Sequence, residues 1–254
     1  MRSPYKGLNG TLMMKSRQLN LPALAITALL SFALACGLVA CQNVATYTQP
    51  TVVRVIDASY MAPAINVNLD GTLFAANIGQ GTFTNYATLK ARSGALIAVA
   101  PAAGGTPLIS TNGTFLPGQQ YSILITDNGL TPATYTITFL NDQRTLAAQG
   151  HSAFRYINQG LKTGAIDIYM VPDGVDLADA VPVVTNLAVG AVSNYISFES
   201  QTVSLVITAA GGDKALYTSK PINLTGSEVR TVLIVNTQLT TNPPLTTFIG
   251  SDVN

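Results

Sequence analysis

The stretch that decides the fold is Ile65-Asn66-Val67-Asn68-Leu69-Asp70-Gly71-Thr72-Leu73. Apolar and polar residues alternate up to an Asp-Gly pair, and the chain then turns apolar again. Alternation with period two is the pattern of a strand with one buried face. Asp-Gly suits a two-residue type I′ turn, because both central residues need positive φ. The stretch therefore predicts a tight antiparallel hairpin. Tyr135-Thr136-Ile137-Thr138-Phe139 and Thr202-Val203-Ser204-Leu205 repeat the alternation. Thr106-Pro107, Leu116-Pro117-Gly118 and Asp127-Asn128-Gly129 supply breaks between such runs. After residue 50 no stretch carries a long 3.6-residue apolar period, and only a turn of helix is expected within 175–181.

The same pattern occurs twice. Arg54-Val55-Ile56-Asp57 matches Arg155-Tyr156-Ile157-Asn158, and Ala64-Ile65-Asn66-Val67 matches Ala165-Ile166-Asp167-Ile168, both at an offset of 101. Asn77–Tyr86 matches Asn186–Tyr195, and Leu96–Ala100 matches Leu205–Ala209, both at 109; Leu116 and Gly118 match Leu224 and Gly226 at 108. The jump in offset places an eight-residue insertion within Val171–Val184. A nearly constant offset over most of a unit points to internal duplication. Short strands and regular turns in units of about 100 residues predict an all-β fold: two tandem antiparallel β-sandwich domains, each with its own core. The expected boundaries are 51–148 and 149–254, joined at Ala147–Ser152. Units of this size bury enough apolar surface to fold without disulfides.

Composition narrows the function. Charged residues make up 10% of the chain, with 13 Lys plus Arg against 12 Asp plus Glu. A near-neutral chain without a basic cluster is a poor match for nucleic acid. There is no Trp, one His and two Cys, which excludes a Cys/His zinc site. An apolar share of 48% is too high for intrinsic disorder.

Residues 1–40 read as an address, a signal segment ahead of the fold. Arg2, Lys6, Lys15 and Arg17 precede the apolar run Leu21–Cys41, which is the layout of a secretory signal. The leader can start at Met1, Met13 or Met14. Its end, Leu38-Val39-Ala40-Cys41, resembles a bacterial lipobox. That resemblance implies lipidation of the Cys41 thiol, cleavage before it, and attachment to the membrane through the lipid. Leu21–Val39 is also long enough to stay as a membrane-spanning anchor. A poorer cleavage site precedes Cys36. Gln42 stands where similar lipoproteins carry an inner-membrane retention Asp, so the outer membrane is the expected destination. Residues 41–50 form a short polar tether ending in Pro50. From residue 41 onward nine basic residues face all twelve acids, a net charge of −3.

Val53-Arg54-Val55-Ile56-Asp57-Ala58-Ser59 through Asn68-Leu69-Asp70-Gly71, and Gly174-Val175-Asp176-Leu177-Ala178-Asp179-Ala180-Val181-Pro182 through Ser193-Asn194-Tyr195, are similar to the patterns of one family. This is domain of unknown function 4397, found in secreted and lipid-anchored bacterial proteins. The resemblance spans residues 52–240. It implies two tandem immunoglobulin-like antiparallel β-sandwich domains outside the cytoplasm and no known activity. Where the family often carries His in the opening strand, this chain has Asp57 and Asn158.

Few residues invite chemistry. Asp173, Asp176 and Asp179 are the densest acidic cluster and a candidate calcium site, since Ca²⁺ prefers oxygen ligands. The spacing is not that of an EF-hand, and the blander reading is a solvated loop with Val175 and Leu177 packing the insertion onto the sheet. His151 sits at the join and reads as a linker residue. Ser219 and Lys220 are neighbours that would point to opposite faces of a strand. Tyr86 and Tyr195 occupy equivalent places, as plugs of a sandwich corner or as stacking platforms. Arg54 and Arg155 are equivalent too. An Arg in an opening strand is expected to pair with a carboxylate such as Asp57 or Asp70, or to read an anionic ligand. Asn112-Gly-Thr and Asn223-Leu-Thr match glycosylation sequons, which bacterial lipoproteins seldom use. No phosphate loop or glycosidase carboxylate motif is present.

The reading that follows is a non-catalytic binding or structural module at the bacterial envelope, with no cofactor. Its expected partners are the membrane and an envelope protein or polysaccharide. The alternatives are an enzyme, or enzyme accessory domain, acting on envelope polysaccharide, and a calcium-stabilised adhesin.

Overall fold

Asp70 and Gly71 take positive φ, 47° and 78°, and join two antiparallel strands as the sequence predicts. In the computed structural model, residues 49–238 and 244–253 are described. Cys36, Cys41 and the leader lie outside them. The described residues belong to one compact unit, Thr48–Asn254.

The first half runs β1 (Thr51–Asp57), β2 (Ile65–Leu69), β3 (Thr72–Ile78), β4 (Ala87–Leu89), β5 (Arg92–Pro101), β6 (Ile109–Phe115), β7 (Gln120–Asp127) and β8 (Tyr135–Asn141). The second runs β9 (His151–Gln159), β10 (Ile166–Pro172), a 3₁₀ turn (Leu177–Asp179), β11 (Val184–Leu187), β12 (Ile196–Glu199), β13 (Thr202–Ala209), β14 (Ala215–Thr218), β15 (Ile222–Asn223), β16 (Glu228–Asn236) and β17 (Leu245–Ser251). The 3₁₀ turn falls where a turn of helix is expected.

Each half is two stacked sheets of matching order. β4-β1-β7-β8 lies over β3-β2-β5-β6, and β12-β9-β16-β17 lies over β11-β10-β13-β14, with β15 also on β13. Pairing is antiparallel except for β1 with β7 and β9 with β16. A parallel pair needs a long crossover. Here the chain crosses through the other sheet of the same half between the two strands.

Three cores follow. Val53, Val55, Ile123 and Ile125 meet Ile65, Val67, Ile97 and Val99 inside the first half. Phe154, Tyr156, Val232 and Ile234 meet Ile166, Ile168, Leu205 and Ile207 inside the second. The third core consists of Ile56, Ala58, Leu124, Ile157, Leu233 and Val235, and it joins the halves. The β1-β7 sheet and the β9-β16 sheet therefore pack face to face. Four sheets stack in layers, and the two middle ones are buried on both faces. That is why β1, β7, β9 and β16 are buried almost continuously rather than at every second residue.

His151 is not a linker residue: it opens β9 and pairs with Glu199. Ser219 and Lys220 do not lie in a strand. They follow β14, and the Ser219 hydroxyl donates to the Lys220 carbonyl at 2.7 Å.

Candidate functional site

The middle sheets bury charge as well as hydrocarbon. Arg54 points from β1 into the seam between the halves and is 1% exposed. It pairs with neither Asp57 nor Asp70. Asp57 accepts from Ser59, and Asp70 pairs with Arg92 at 2.7 Å on the surface. Arg54 instead crosses to the other half. Its Nη2 pairs with Asp252, its Nη1 donates to the Ser251 carbonyl at 2.6 Å, and its Nε donates to the Ser122 hydroxyl at 2.7 Å. Arg155 does the reverse. Its Nη2 donates to Asp142 of the first half at 2.6 Å, and its Nε donates to the Thr231 hydroxyl at 3.1 Å.

Each carboxylate is then completed from its own half. Asp142 Oδ2 accepts from the Tyr86 and Ser122 hydroxyls, each at 2.6 Å. Asp252 Oδ2 accepts from the Tyr195 hydroxyl at 2.5 Å and the Thr231 hydroxyl at 2.6 Å. The guanidinium groups also stack, Arg54 4.6 Å from the Tyr86 ring centre and Arg155 4.8 Å from that of Tyr195. Tyr86 and Tyr195 are thus structural plugs whose hydroxyls reach carboxylates. Burial raises the pKa of both tyrosines, the nearby arginines oppose the rise, and the carboxylates they contact add to it. Burial alone would lower Arg155, but the charges of Asp142, Tyr195 and Asp252 together with the Asp142 hydrogen bond outweigh it, and the net shift is upward.

The pattern is the one a two-fold isologous interface produces: residue i of one half meets residue j of the other, and j meets i. Every charge in it has an opposite charge and hydroxyl or backbone partners, which is the condition for burying ions. Asp142 and Asp252 do not stand out in the sequence. They follow strand ends and sit 110 residues apart, an extension of the offset that aligns the rest of the chain.

The second feature is the insertion Val171–Val184. It lies over the outer face of the β10-β13-β14 sheet. On one side of Leu177 is a cavity of about 310 Å³ with Val171, Val206 and Ala215 on its walls and Ser204 and Thr218 as hydroxyl groups. On the other is one of about 440 Å³ between Tyr169, Ala178 and Asp213. Leu177 is half-buried and serves as the ridge between them. Val175 does not pack onto the sheet as expected and remains 41% exposed, because it stands at the rim. Asp173, Asp176 and Asp179 are all exposed. Among the described residues no three His, Cys, Asp or Glu side chains are grouped to hold a metal ion, so this acidic trio is not brought together as ligands.

The fold and the network define a class: an all-β protein of paired sandwiches whose halves complete each other's buried carboxylates. A sequence comparison bears on the family. The family model described as Domain of unknown function (DUF4397) matches residues 51–169, and this part of the chain is similar to that family. The match covers the first half and ends within β10. No curated protein matches the chain.

Proposed function

We propose that this protein is a non-catalytic binding or structural module, held by a lipid on Cys41 at a bacterial membrane, the outer membrane rather than the inner. The observation that carries the non-catalytic reading is the closed network of Arg54, Asp252, Arg155 and Asp142. Two buried arginine–aspartate pairs are spent on holding two sandwiches together. A carboxylate saturated by an arginine and two hydroxyls is a poor proton acceptor for a substrate. A rigid body of this kind is suited to presenting surface segments. The insertion over β10-β13-β14, with its apolar floor and hydroxyl rim, is the working surface in this reading, and an envelope protein or polysaccharide is the partner. The membrane attachment rests on the positive leader, the apolar run and Leu38-Val39-Ala40-Cys41. Two or three acyl chains anchor stably where one does not, at about 0.8 kcal/mol per buried CH₂.

The test is metabolic labelling with a fatty-acid analogue, followed by mass spectrometry of the N-terminal peptide from the membrane fraction. The expected result is a diacylglyceryl-modified peptide starting at Cys41, with label and membrane retention both lost in Cys41→Ala. An unmodified chain that keeps Leu21–Val39 and stays in the membrane overturns the lipid anchor.

A further inference from the structure

Asp57 and Asn158 form a natural comparison inside one molecule. They occupy equivalent places near the ends of β1 and β9, and both are fully buried. One oxygen of each does the same work. Asp57 Oδ1 accepts from the Ser59 N–H at 2.9 Å and from its hydroxyl at 2.5 Å; Asn158 Oδ1 accepts from the Gly160 N–H at 2.9 Å. The other atom differs. Asn158 Nδ2 donates to the carbonyls of Leu187 at 2.8 Å and Gly164 at 3.0 Å, which ties β11 and the β9–β10 loop to β9. Asp57 Oδ2 is buried with no hydrogen-bond partner.

The setting in the first half calls for a donor as well. Ile78 pairs with Ile65 as Leu187 pairs with Ile166, and Pro63 corresponds to Gly164. By register, the carbonyls that the Asn158 amide serves correspond to those of Ile78 and Pro63 in the first half. An ionised carboxylate offers them only acceptors, whereas a carboxylic acid offers an O–H.

We propose that in mildly acidic surroundings the folded protein holds Asp57 as the neutral acid, its Oδ2–H donating in the place of the Asn158 amide, and that losing this proton loosens the β1–β2 loop.

Burial pushes the Asp57 carboxyl up to about 6, against the two hydrogen bonds from Ser59, and the Asp127 charge adds to the rise. The surrounding ionisable groups fit that direction. Asp127 on β7 is held as an acceptor by the N–H groups of Met61 and Gly129, both at 2.7 Å. Tyr135 on β8 is raised by burial and by both aspartates. The segment Gly79–Phe83, which bonds to β1 through Thr82 and Gly81, carries no ionisable group. At the rim, the Lys162 ammonium donates to the Gly129 carbonyl at 3.2 Å and lies 5.5 Å from the Tyr60 ring centre.

The loop matters beyond itself because the second half leans on it. The Gln238 amide donates to the carbonyls of Ser59 and Tyr60, and Gln159 Nε2 donates to the Asp127 carbonyl at 3.1 Å. A carboxyl whose folded pKa lies above its unfolded value binds more protons when folded. Its contribution to stability is therefore full at low pH and falls as pH rises through the folded value.

The experiment compares thermal unfolding of the full chain with that of Asp57→Asn and Asn158→Asp, from pH 4 to pH 8. The expected result is that the wild type loses melting temperature relative to Asp57→Asn between pH 4 and pH 7. Asp57→Asn is then the more stable at pH 8, and Asn158→Asp gains a second fall of the same sign. Infrared spectra of the wild type should show a buried carboxylic-acid C=O band at pH 5 that is lost by pH 7.5. That measurement decides the matter if either variant does not fold. Parallel pH curves for wild type and Asp57→Asn overturn the proposal, as does the lack of the band. So does a wild type that gains stability at pH 8 from added Na⁺ or Ca²⁺ in a way Asp57→Asn does not, since a cation then fills the place assigned to the proton.

Discussion

Arg155 of the second half donates to the Asp142 carboxylate of the first at 2.6 Å, with both side chains almost entirely out of contact with water. The pair joins segments that contribute to different cores, so its strength sets how firmly the halves are coupled. Removing one partner of a buried ion pair leaves an uncompensated charge, which costs about 3–5 kcal/mol. Arg155→Met should cost that much in denaturant unfolding. Arg155→Lys should also destabilise, because an ammonium cannot reproduce the fork that reaches both Asp142 and Thr231. The double change Arg155→Met with Asp142→Leu should cost less than either single change. Simple addition of the two single effects would show that the pair is not coupled.

How much of this was legible beforehand varies along the chain. Asp70-Gly71 could be read because the turn is local: two residues with positive φ dictate the hairpin without help from elsewhere. The doubled pattern around Arg54 and Arg155 was legible from spacing alone. The partners of those arginines were not. Asp142 lies in Leu140-Asn141-Asp142-Gln143-Arg144, which has the composition of a solvated loop, and only the packing of one half on the other buries it. Asp57 and Asp70 were nearer in sequence, but Asp57 faces the opposite side of β1 from Arg54 and Asp70 sits at a hairpin tip. The insertion was visible as a jump in offset. That it would raise Leu177 as a ridge between two cavities depends on the outer face of a sheet that alternation cannot distinguish from the inner one.

The tyrosines should report on the seam at high pH. Tyr86, Tyr195 and Tyr156 are all raised, in each case first by burial. A phenol held neutral in the fold binds its proton where the unfolded chain has lost it. Stability from these groups is therefore present below about pH 10, the ordinary tyrosine value, and declines above it. A spectrophotometric titration should find three of the ten tyrosines silent until the protein unfolds. Tyr86→Phe and Tyr195→Phe should each lower stability by about 1–3 kcal/mol, because a buried carboxylate loses a donor. Ten tyrosines titrating together in the native protein would contradict the buried hydrogen bonds.

The two sides of the seam are alike in charge and unlike in shape, which yields a steric prediction. Phe83 and Val192 are equivalent, and each bridges the opening strand of its half, at Ile56 and Ile157. Strand β17 carries Gly250 where β8 carries Leu140. A Cβ on Gly250 would collide with the Phe83 ring. On the other side the smaller Val192 borders the same shallow groove as the larger Leu140. Large meets small in one place and small meets large in the other, so each bulky side chain faces a smaller partner. Gly250→Ala alone should overpack the seam and cost about 1–3 kcal/mol. Phe83→Val alone should leave a void beside the shared core and also destabilise. Phe83→Val makes room for the Cβ that Gly250→Ala adds, so the double variant should be more stable than the sum of the single losses by about 1 kcal/mol or more. The check is a double-mutant cycle in urea, and strictly additive losses would mean that Phe83 and Gly250 do not share one space.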